Sequence, residues 1–433
     1  MMNYRETIDF LYSQTPQFQQ IGAAAYKPGL DTVRCLASLF GNPQERLRCV
    51  HVGGTNGKGS TAHSLASCMQ AAGMRVGLFT SPHLIDFRER IRVNGVMIPR
   101  DEVTAFVERF RALCPPGCEP SFFELTTVMA FDWFLRSEVD VAVIEVGLGG
   151  RLDSTNIITP ELSVITNISM DHMAQLGCTR EAIASEKAGI IKPGVPVVVG
   201  ESGGAVREVF RSAAEKAGAP MRFADDEFAS MDASLSEDGF LAVAASPFGP
   251  LRFQLTGLCQ RRNLRTIVCA LDALRRLGYP LTDGAVAGGL ASVCDSTGLM
   301  GRWMRVMDRP TVICDTGHNE GGWELLGRQL AAYGDRLTAV LGFVNDKDLG
   351  HIFPHLPREA GYIFTRASVP RALPAEELAT RAAAAGIRGS VTFSVGQALD
   401  DALRQARRDP EAVIFVGGST FVVADLLSVL RNR

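Results

Sequence analysis

Short apolar runs and longer amphipathic stretches take turns along this chain. Residues 47–52 read as a strand, 60–72 as a helix and 75–80 as the next strand. A helical pattern at 122–137 then leads into apolar runs at 139–146 and 162–168, both read as strands. Such alternation predicts an α/β fold, a mostly parallel sheet covered by helices on both faces. Sites in these sheets gather beyond the carboxyl ends of the strands. Three segments stand there: a glycine-rich loop at 53–59, the turn Thr80-Ser81-Pro82-His83, and Glu145.

From about 222 to 257 the pattern changes to short, polar-broken runs, which predicts an antiparallel excursion. Helical patterns return at 261–277 and 283–292, and Asp295-Ser296-Thr297-Gly298 reads as a boundary. The expected domains are therefore 1–297 and 298–433. In the second, strands are expected near 311–315, 337–343, 361–366, 390–395 and 412–416, each followed by a helix-compatible stretch, as in a smaller Rossmann-like domain. No G-x-G-x-x-G follows its first strand, so dinucleotide binding is not expected.

At 433 residues the chain exceeds what one core usually serves. With 46% apolar and 21% charged residues it reads as an ordinary soluble protein, and a net charge of −3 gives no global pull toward nucleic acid or membrane. Residues 1–20 lack the apolar core of a signal peptide, and no apolar run reaches membrane-spanning length. The ten cysteines are scattered singly apart from Cys114 and Cys118, with no second pair to complete a zinc site, so reduced thiols and a cytoplasmic location are expected.

Candidate chemistry centres on Val50-His51-Val52-Gly53-Gly54-Thr55-Asn56-Gly57-Lys58-Gly59-Ser60-Thr61. Glycines let backbone N–H groups converge on an anion, a helix N-terminus adds partial positive charge, and a lysine reaches the terminal phosphates. A plain glycine turn is the other reading. The spacing is not the general G-x-x-x-x-G-K-[ST] but the narrower G-T-N-G-K-G-S. Glu145 leaves a buried strand, which is costly unless something pairs with it. A magnesium ion would serve, and so would Arg151 or Arg90. His172 and Ser81 also stand at strand exits, each weak alone as a metal ligand. Lys187 ends an amphipathic helix, either solvated, paired with Glu186, or partly buried with a depressed pKa. Beyond the boundary, Arg302 and the Asp315-Thr316-Gly317-His318-Asn319 strand exit suit either phosphate recognition or structural ion pairing.

Together these motifs closely resemble the folylpolyglutamate synthase/dihydrofolate synthase family of Mur-type ligases. The resemblance runs from about Lys27 to Leu427. Its landmarks are G-T-N-G-K-G-S at 54–60, T-S-P-H-L at 80–84, F-R-E-R-I at 87–91, F-F-E at 122–124 and E-V-G-L-G-G-R-L-D-S-T-N at 145–156. D-H at 171–172, E-K-A-G-I at 186–190, G-R at 301–302, D-T-G-H-N at 315–319 and N-D-K-D at 345–348 complete the set.

The resemblance implies a three-layer α/β/α P-loop ATPase domain, a C-terminal Rossmann-like domain and an active site between them. It implies ATP-dependent joining of L-glutamate to 7,8-dihydropteroate and to reduced folates through an acyl phosphate. Thr55, Asn56, Gly57, Lys58, Gly59 and Ser60 would hold the ATP phosphates, with Asn263, Arg302 and Asp315 at nucleotide-binding positions and His318 beside them. Ser81, Glu145 and His172 would bind Mg2+, and Lys187 would be carbamylated. Lys58, Lys187, His172, Arg302, Asp315 and His318 form the expected catalytic set. Lys27, Pro28, Gly29, Leu30, Ser121, Phe122, Phe123, Glu124, Leu152, Asp153 and Ser154 match pterin-lining segments of bifunctional bacterial members. Small-molecule substrates and a monomer are the implied partners and state.

Two stretches depart from the family: D-T-G-H-N-E replaces D-[GV]-A-H-N-P, and Cys259 stands where a histidine usually precedes Gln260. A cell-wall Mur ligase would share the chemistry, but F-R-E-R-I and L-G-G-R-L-D favour the folate branch. A P-loop motor or GTPase would want regular Walker spacing. A non-catalytic scaffold would have lost Lys58, Glu145 or His172.

Overall fold

The computed structural model describes residues 2–13, 29–115, 117–407 and 409–433. The pterin-segment residues Lys27 and Pro28 lie outside them. The chain divides into two compact units, Met1–Thr256 with Gln260–Leu299, and Gly257–Cys259 with Met300–Arg433.

The first unit holds an eight-stranded sheet. Its strands are β1 (Cys49–Gly53), β2 (Val76–Phe79), β3 (Ile91–Val93), β4 (Val96–Met97), β5 (Val141–Glu145), β6 (Leu162–Ile165), β7 (Val197–Val199) and β8 (Met221–Phe223). The order is β4-β3-β2-β5-β1-β6-β7-β8, parallel from β2 to β8 and antiparallel at the β3 and β4 edge. The period-2 alternation of a strand sends Val50, Val52, Val143 and Val164 into one core, which also holds Leu65 and Met69 of the helix Lys58–Ala71. Cys49, Phe79, Ala142 and Ile144 enter the opposite core, with Phe131 and Phe134 of the helix Phe122–Arg136. Burial on both faces is why these strands read as nearly continuous apolar runs.

The structure corrects several expected boundaries. Arg222 belongs to β8, a half-exposed parallel edge strand, so the antiparallel excursion begins only at β9 (Ser234–Leu235), followed by β10 (Leu241–Val243) and β11 (Leu251–Phe253). β6 stops at Ile165 because the next residues turn to hold the glycine loop. The helix expected from 261 begins at Leu258.

The second unit carries β12 (Met304–Asp308), β13 (Thr311–Asp315), β14 (Leu337–Leu341), β15 (Gly361–Phe364), β16 (Ser390–Val391) and β17 (Val413–Gly417), ordered β12-β13-β17-β14-β15-β16. All are parallel except the edge strand β12, which the sequence reading missed. β16 is shorter than the expected 390–395 because the Ser394 side chain caps the helix Val395–Ala406. β14 leads into the short 3-10 turns Leu349–His351 and Phe353–His355 where a helix was expected. Trp323, Phe343 and Phe415 fill the core on one face.

Candidate active site

Four neighbouring strands, β2, β5, β1 and β6, bring their carboxyl ends level. Glu145 is registered with Val52, Ile144 with Phe79, and Ile165 with Gly53. The loop after β1 is gripped from the β6 side. Thr55 N–H donates to the Asn167 carbonyl (2.9 Å) and Asn56 N–H to Asn167 Oδ1 (3.0 Å). Asn167 Nδ2 and Thr166 Oγ1 both return hydrogen bonds to the Asn56 carbonyl, at 3.1 and 2.5 Å. Gly54, at φ +133°, lies so close that an added Cβ would stand 1.9 Å from Thr166 Oγ1. Gly57, at φ +80°, precedes the first turn of the helix Lys58–Ala71, and a Cβ there would meet Asn263 Oδ1 at 2.3 Å. Asn263 in turn donates to Gln260 Oε1 (2.8 Å), and Gln260 Nε2 donates to Ser60 Oγ (3.2 Å). The arrangement is a rigid cradle at a helix N-terminus, and Thr55, Asn56, Gly57, Lys58, Gly59, Ser60 and Asn263 all belong to it. Thr166 and Asn167 were missed from sequence; a Thr-Asn pair directly after a buried strand was the available signal.

Glu145 ends β5 almost fully buried and accepts the Ser81 N–H at 2.8 Å, which ties two of the three expected metal ligands together. His172 adopts φ +51° at the start of a short helix, with Nε2 3.8 Å from Asp171 Oδ2. Among the described residues no group of three or more His, Cys, Asp or Glu is arranged to hold a metal. Arg151 pairs with Glu186 (2.7 Å), and Arg90 Nε donates to His83 Nδ1 (2.8 Å). Burial brings the Arg90 guanidinium down to about 10, while the Glu145 charge helps hold its proton. Burial, with Arg90 adding to it, pushes His83 well below the usual imidazole range, so its Nδ1 accepts.

Lys187 is neither solvated nor paired with Glu186. It is 4% exposed, and its Nζ donates to the Gly54 carbonyl at 2.9 Å. Burial, with the charge of Lys58 adding to it, brings its pKa down to about 7 against the smaller opposing pull of Asp171 and Asp153. Lys58 reaches the same carbonyl at 3.1 Å and the Thr55 carbonyl at 3.0 Å. Near neutral pH Lys187 is therefore present in both its amine and its ammonium form beside the glycine loop.

The expected acceptor segments lie in the same unit. Ser121 and Glu124 form a reciprocal capping box, Ser121 N–H to Glu124 Oε2 at 2.7 Å and Glu124 N–H to Ser121 Oγ at 3.2 Å. Asp153 is buried, takes N–H groups from Leu148 (2.8 Å) and Thr155 (3.0 Å), and is pushed upward in pKa by that burial. These polar groups fix the backbone, which presents Phe122 against Arg90 (5.1 Å from the ring centre) and Phe123 against Phe79 (5.8 Å between rings). Leu152 and Ser154 are half-buried beside Asp153, and Leu30 directly precedes the helix Asp31–Leu39 with Gly29 before it.

In the second unit Asp315 closes β13 and accepts N–H groups from Trp303 (2.7 Å) and Gly317 (2.8 Å), with burial raising its pKa. Arg302 donates to Thr316 Oγ1 and to the Gly301 carbonyl, and His318 Nδ1 lies 3.0 Å from the Thr316 carbonyl. Arg302, Asp315 and His318 thus share one strand exit.

Residues 52–255 match the Mur ligase middle domain and 301–420 the Mur ligase glutamate ligase domain. A dihydrofolate synthase/folylpolyglutamate synthase of Bacillus subtilis is 34% identical over 424 residues, 94% of this chain and 95% of its own. The Escherichia coli protein of that description is 32% identical over 408 residues, covering 94% and 92%. A Mycobacterium tuberculosis folylpolyglutamate synthase complexed with ADP superposes with a TM-score of 0.86 at 30% identity, over 99% of this chain and 98% of that one. E. coli FolC in complex with DHPP and ADP gives 0.83 at 30% identity, over 100% and 98%. With this fold and these landmarks in order, the chain belongs to the folylpolyglutamate synthase/dihydrofolate synthase family of Mur ligases.

Proposed function

We propose that this chain is an ATP-dependent amide ligase that joins L-glutamate to 7,8-dihydropteroate and to reduced folates. The observation that carries the reading is the convergence of the glycine cradle, Glu145 and the buried Lys187 at the ends of adjacent strands. The acceptor carboxylate attacks the γ-phosphorus of ATP, the bond to ADP breaks, and an acyl phosphate forms. The glutamate amine then adds to the acyl carbon, loses its proton, and phosphate departs. Backbone N–H groups of 57–60 and the Lys58 ammonium meet the charge that spreads over the transferring phosphoryl group, while the Thr55 and Asn56 N–H groups hold the loop against Asn167. No protein nucleophile is needed.

Ser81, Glu145 and His172 are the residues of this chain suited to a magnesium ion, whose chemistry here is to neutralise phosphate oxygens. A buried carboxylate held by a backbone N–H at a strand exit, beside a phosphate cradle, fits a hard cation. Carbon dioxide added to the neutral Lys187 amine would place an anionic carbamate next to that position. Arg302, Asp315 and His318 are assigned to nucleotide and phosphate recognition in the second unit. Pterin contact is assigned to Lys27, Pro28, Gly29, Leu30, 121–124 and 152–154. The same reading takes the protein as a cytoplasmic monomer acting on small molecules.

The deciding experiment is glutamate-dependent phosphate release from ATP with 7,8-dihydropteroate or tetrahydrofolate as acceptor. Turnover with both is expected. Turnover with one alone would confine the enzyme to that reaction, and silence with both would overturn the reading in favour of a cell-wall amino-acid ligase.

A further inference from the structure

His51 lies in the middle of β1. The alternation that sends Val50 and Val52 to one core puts His51 on the opposite face with Cys49, beside the layer built from Ala142, Ile144, Phe131 and Phe134. The ring is fully buried, and burial, with the charge of Lys192 adding to it, brings its pKa down to about 3, so it stays neutral. Nε2 lies 2.8 Å from Thr155 Oγ1, while Nδ1 meets no hydrogen-bond partner among the described residues. The Thr155 hydroxyl donates to Asp153 Oδ1, which also takes the Thr155 N–H at 3.0 Å, and Asp153 Oδ2 takes the Leu148 N–H at 2.8 Å. A hydroxyl has one proton to give. With that proton on the bond to Asp153, Thr155 Oγ1 accepts from His51, which assigns the His51 proton to Nε2.

We propose that His51 is a positioning residue for the acceptor substrate, holding the pterin-side loop through a directed chain from His51 Nε2–H to the Thr155 hydroxyl to the Asp153 carboxylate. This rests on the reading made above, which assigns 152–154 to pterin contact. An aliphatic side chain would fill the same space and bury no polar atom. His51 instead leaves one nitrogen without a partner and directs its single N–H at Thr155. A donor on the hydroxyl oxygen polarises the O–H and strengthens the bond it gives to the carboxylate.

The chain of bonds joins separate elements. β1 is an interior strand, paired at His51 with Ile144 of β5 and Ser163 of β6, so the histidine is a fixed anchor. The loop after β5 is also tied by the Arg151 N–H to the Glu186 carbonyl (2.7 Å) and by Asn156 Nδ2 to the Gly189 carbonyl (3.0 Å). His51 precedes Gly54 by three residues, but its side chain leaves β1 on the face away from the helix Lys58–Ala71, whose Leu65 and Met69 share a core with Val50 and Val52. Removing the ring N–H therefore loosens the acceptor loop and spares the phosphate cradle. The two effects separate in the KM values.

The test is steady-state kinetics of the full-length enzyme, with 7,8-dihydropteroate, tetrahydrofolate and ATP varied in turn. In His51→Leu the acceptor KM should rise about ten-fold, with the ATP KM within about two-fold of wild type. Thr155→Val, which keeps the shape of the side chain, should do the same and carries the test if His51→Leu fails to fold. The double variant should be no worse than either single one, because both act through one chain of bonds. His51→Gln, whose amide N–H stands near Nε2, and Thr155→Ser should each recover the acceptor KM to within about three-fold of wild type. An ATP KM rising in step with the acceptor KM, additive losses in the double variant, no recovery in the two conservative variants, or folded variants with an unchanged acceptor KM would each overturn the proposal. Failure of the acceptor assignment reads differently: wild type itself would be silent with both acceptors.

Discussion

Lys58 and Lys187 converge on one acceptor, the Gly54 carbonyl oxygen, at 3.1 and 2.9 Å. Burial, with the charge of Lys58 adding to it, brings the Lys187 pKa down to about 7. Its neutral form is the one that adds carbon dioxide, which would replace a repelled cation with an anion next to Lys58. Enzyme equilibrated with 13C-bicarbonate should therefore show a carbamate carbonyl resonance that Lys187→Ala lacks. That variant should lose about 100-fold or more in turnover and regain part of it with acetate or formate. Full activity of Lys187→Ala would dismiss the carbamate.

The same shift sets a pH dependence of stability. Lys187 titrates at about 7 when folded, against 10.5 as the ordinary value. Between those values the unfolded chain binds more protons than the folded one, so this group makes stability rise with pH across that window and costs most below pH 7. The groups that act on it are Lys58, lowering, and Asp171 and Asp153, raising. Chemical denaturation of wild type and Lys187→Met at pH 6.5, 7.5 and 8.5, with carbon dioxide removed, should show wild type gaining on the variant as pH rises. Parallel profiles would mean the buried lysine keeps its proton.

Much of the first unit was legible because its chemistry is local. The anion cradle is written within Gly53-Gly54-Thr55-Asn56-Gly57-Lys58, and β1, β2, β5 and β6 are buried on both faces and so read as apolar runs. What stayed hidden depends on contacts between distant residues. Nothing near Lys187 in sequence says that the Gly54 carbonyl accepts its hydrogen bond, and Thr166 and Asn167 look like an ordinary loop until they are seen to close on Asn56. β12 and β8 escaped or were misplaced because edge strands, half-exposed, lose the apolar pattern that marks a strand.

The close approach at Gly54 makes a sharp substitution. In Gly54→Ala the new Cβ would sit 1.9 Å from Thr166 Oγ1 and 2.9 Å from Thr166 N, at a backbone φ of +133° that L side chains avoid. The loop has to move, and with it both the Gly54 carbonyl and the N–H groups that follow. We expect ATP affinity to fall by about 100-fold or more, measured by calorimetry, with a lower melting temperature. Unchanged ATP binding would show that the loop does not hold the nucleotide.

Asn167 offers a gentler probe of the same cradle. Its side chain clamps Asn56 from both sides, accepting its N–H at 3.0 Å and donating to its carbonyl at 3.1 Å. Asn167→Ala removes both bonds while Thr166 Oγ1 still reaches the Asn56 carbonyl. Looser loop geometry should raise the ATP KM by about ten-fold and leave the acceptor KM within about two-fold. Equal losses in both would point to general unfolding of the unit instead, which circular dichroism at the assay temperature would register.

Glu145→Gln separates charge from shape. The amide keeps an oxygen for the Ser81 N–H, so the strand exit should hold its form, but it removes the buried negative charge. If that charge is there for magnesium, ATP binding without the ion should be nearly unchanged, while the gain in affinity on adding Mg2+ should shrink by about ten-fold. Calorimetric titration of ATP with and without Mg2+ reads both quantities on one sample and needs no turnover. A variant that keeps the wild-type magnesium gain would show that Glu145 serves a neighbouring cation of the chain, and Arg90, which feels its field, would become the partner to test.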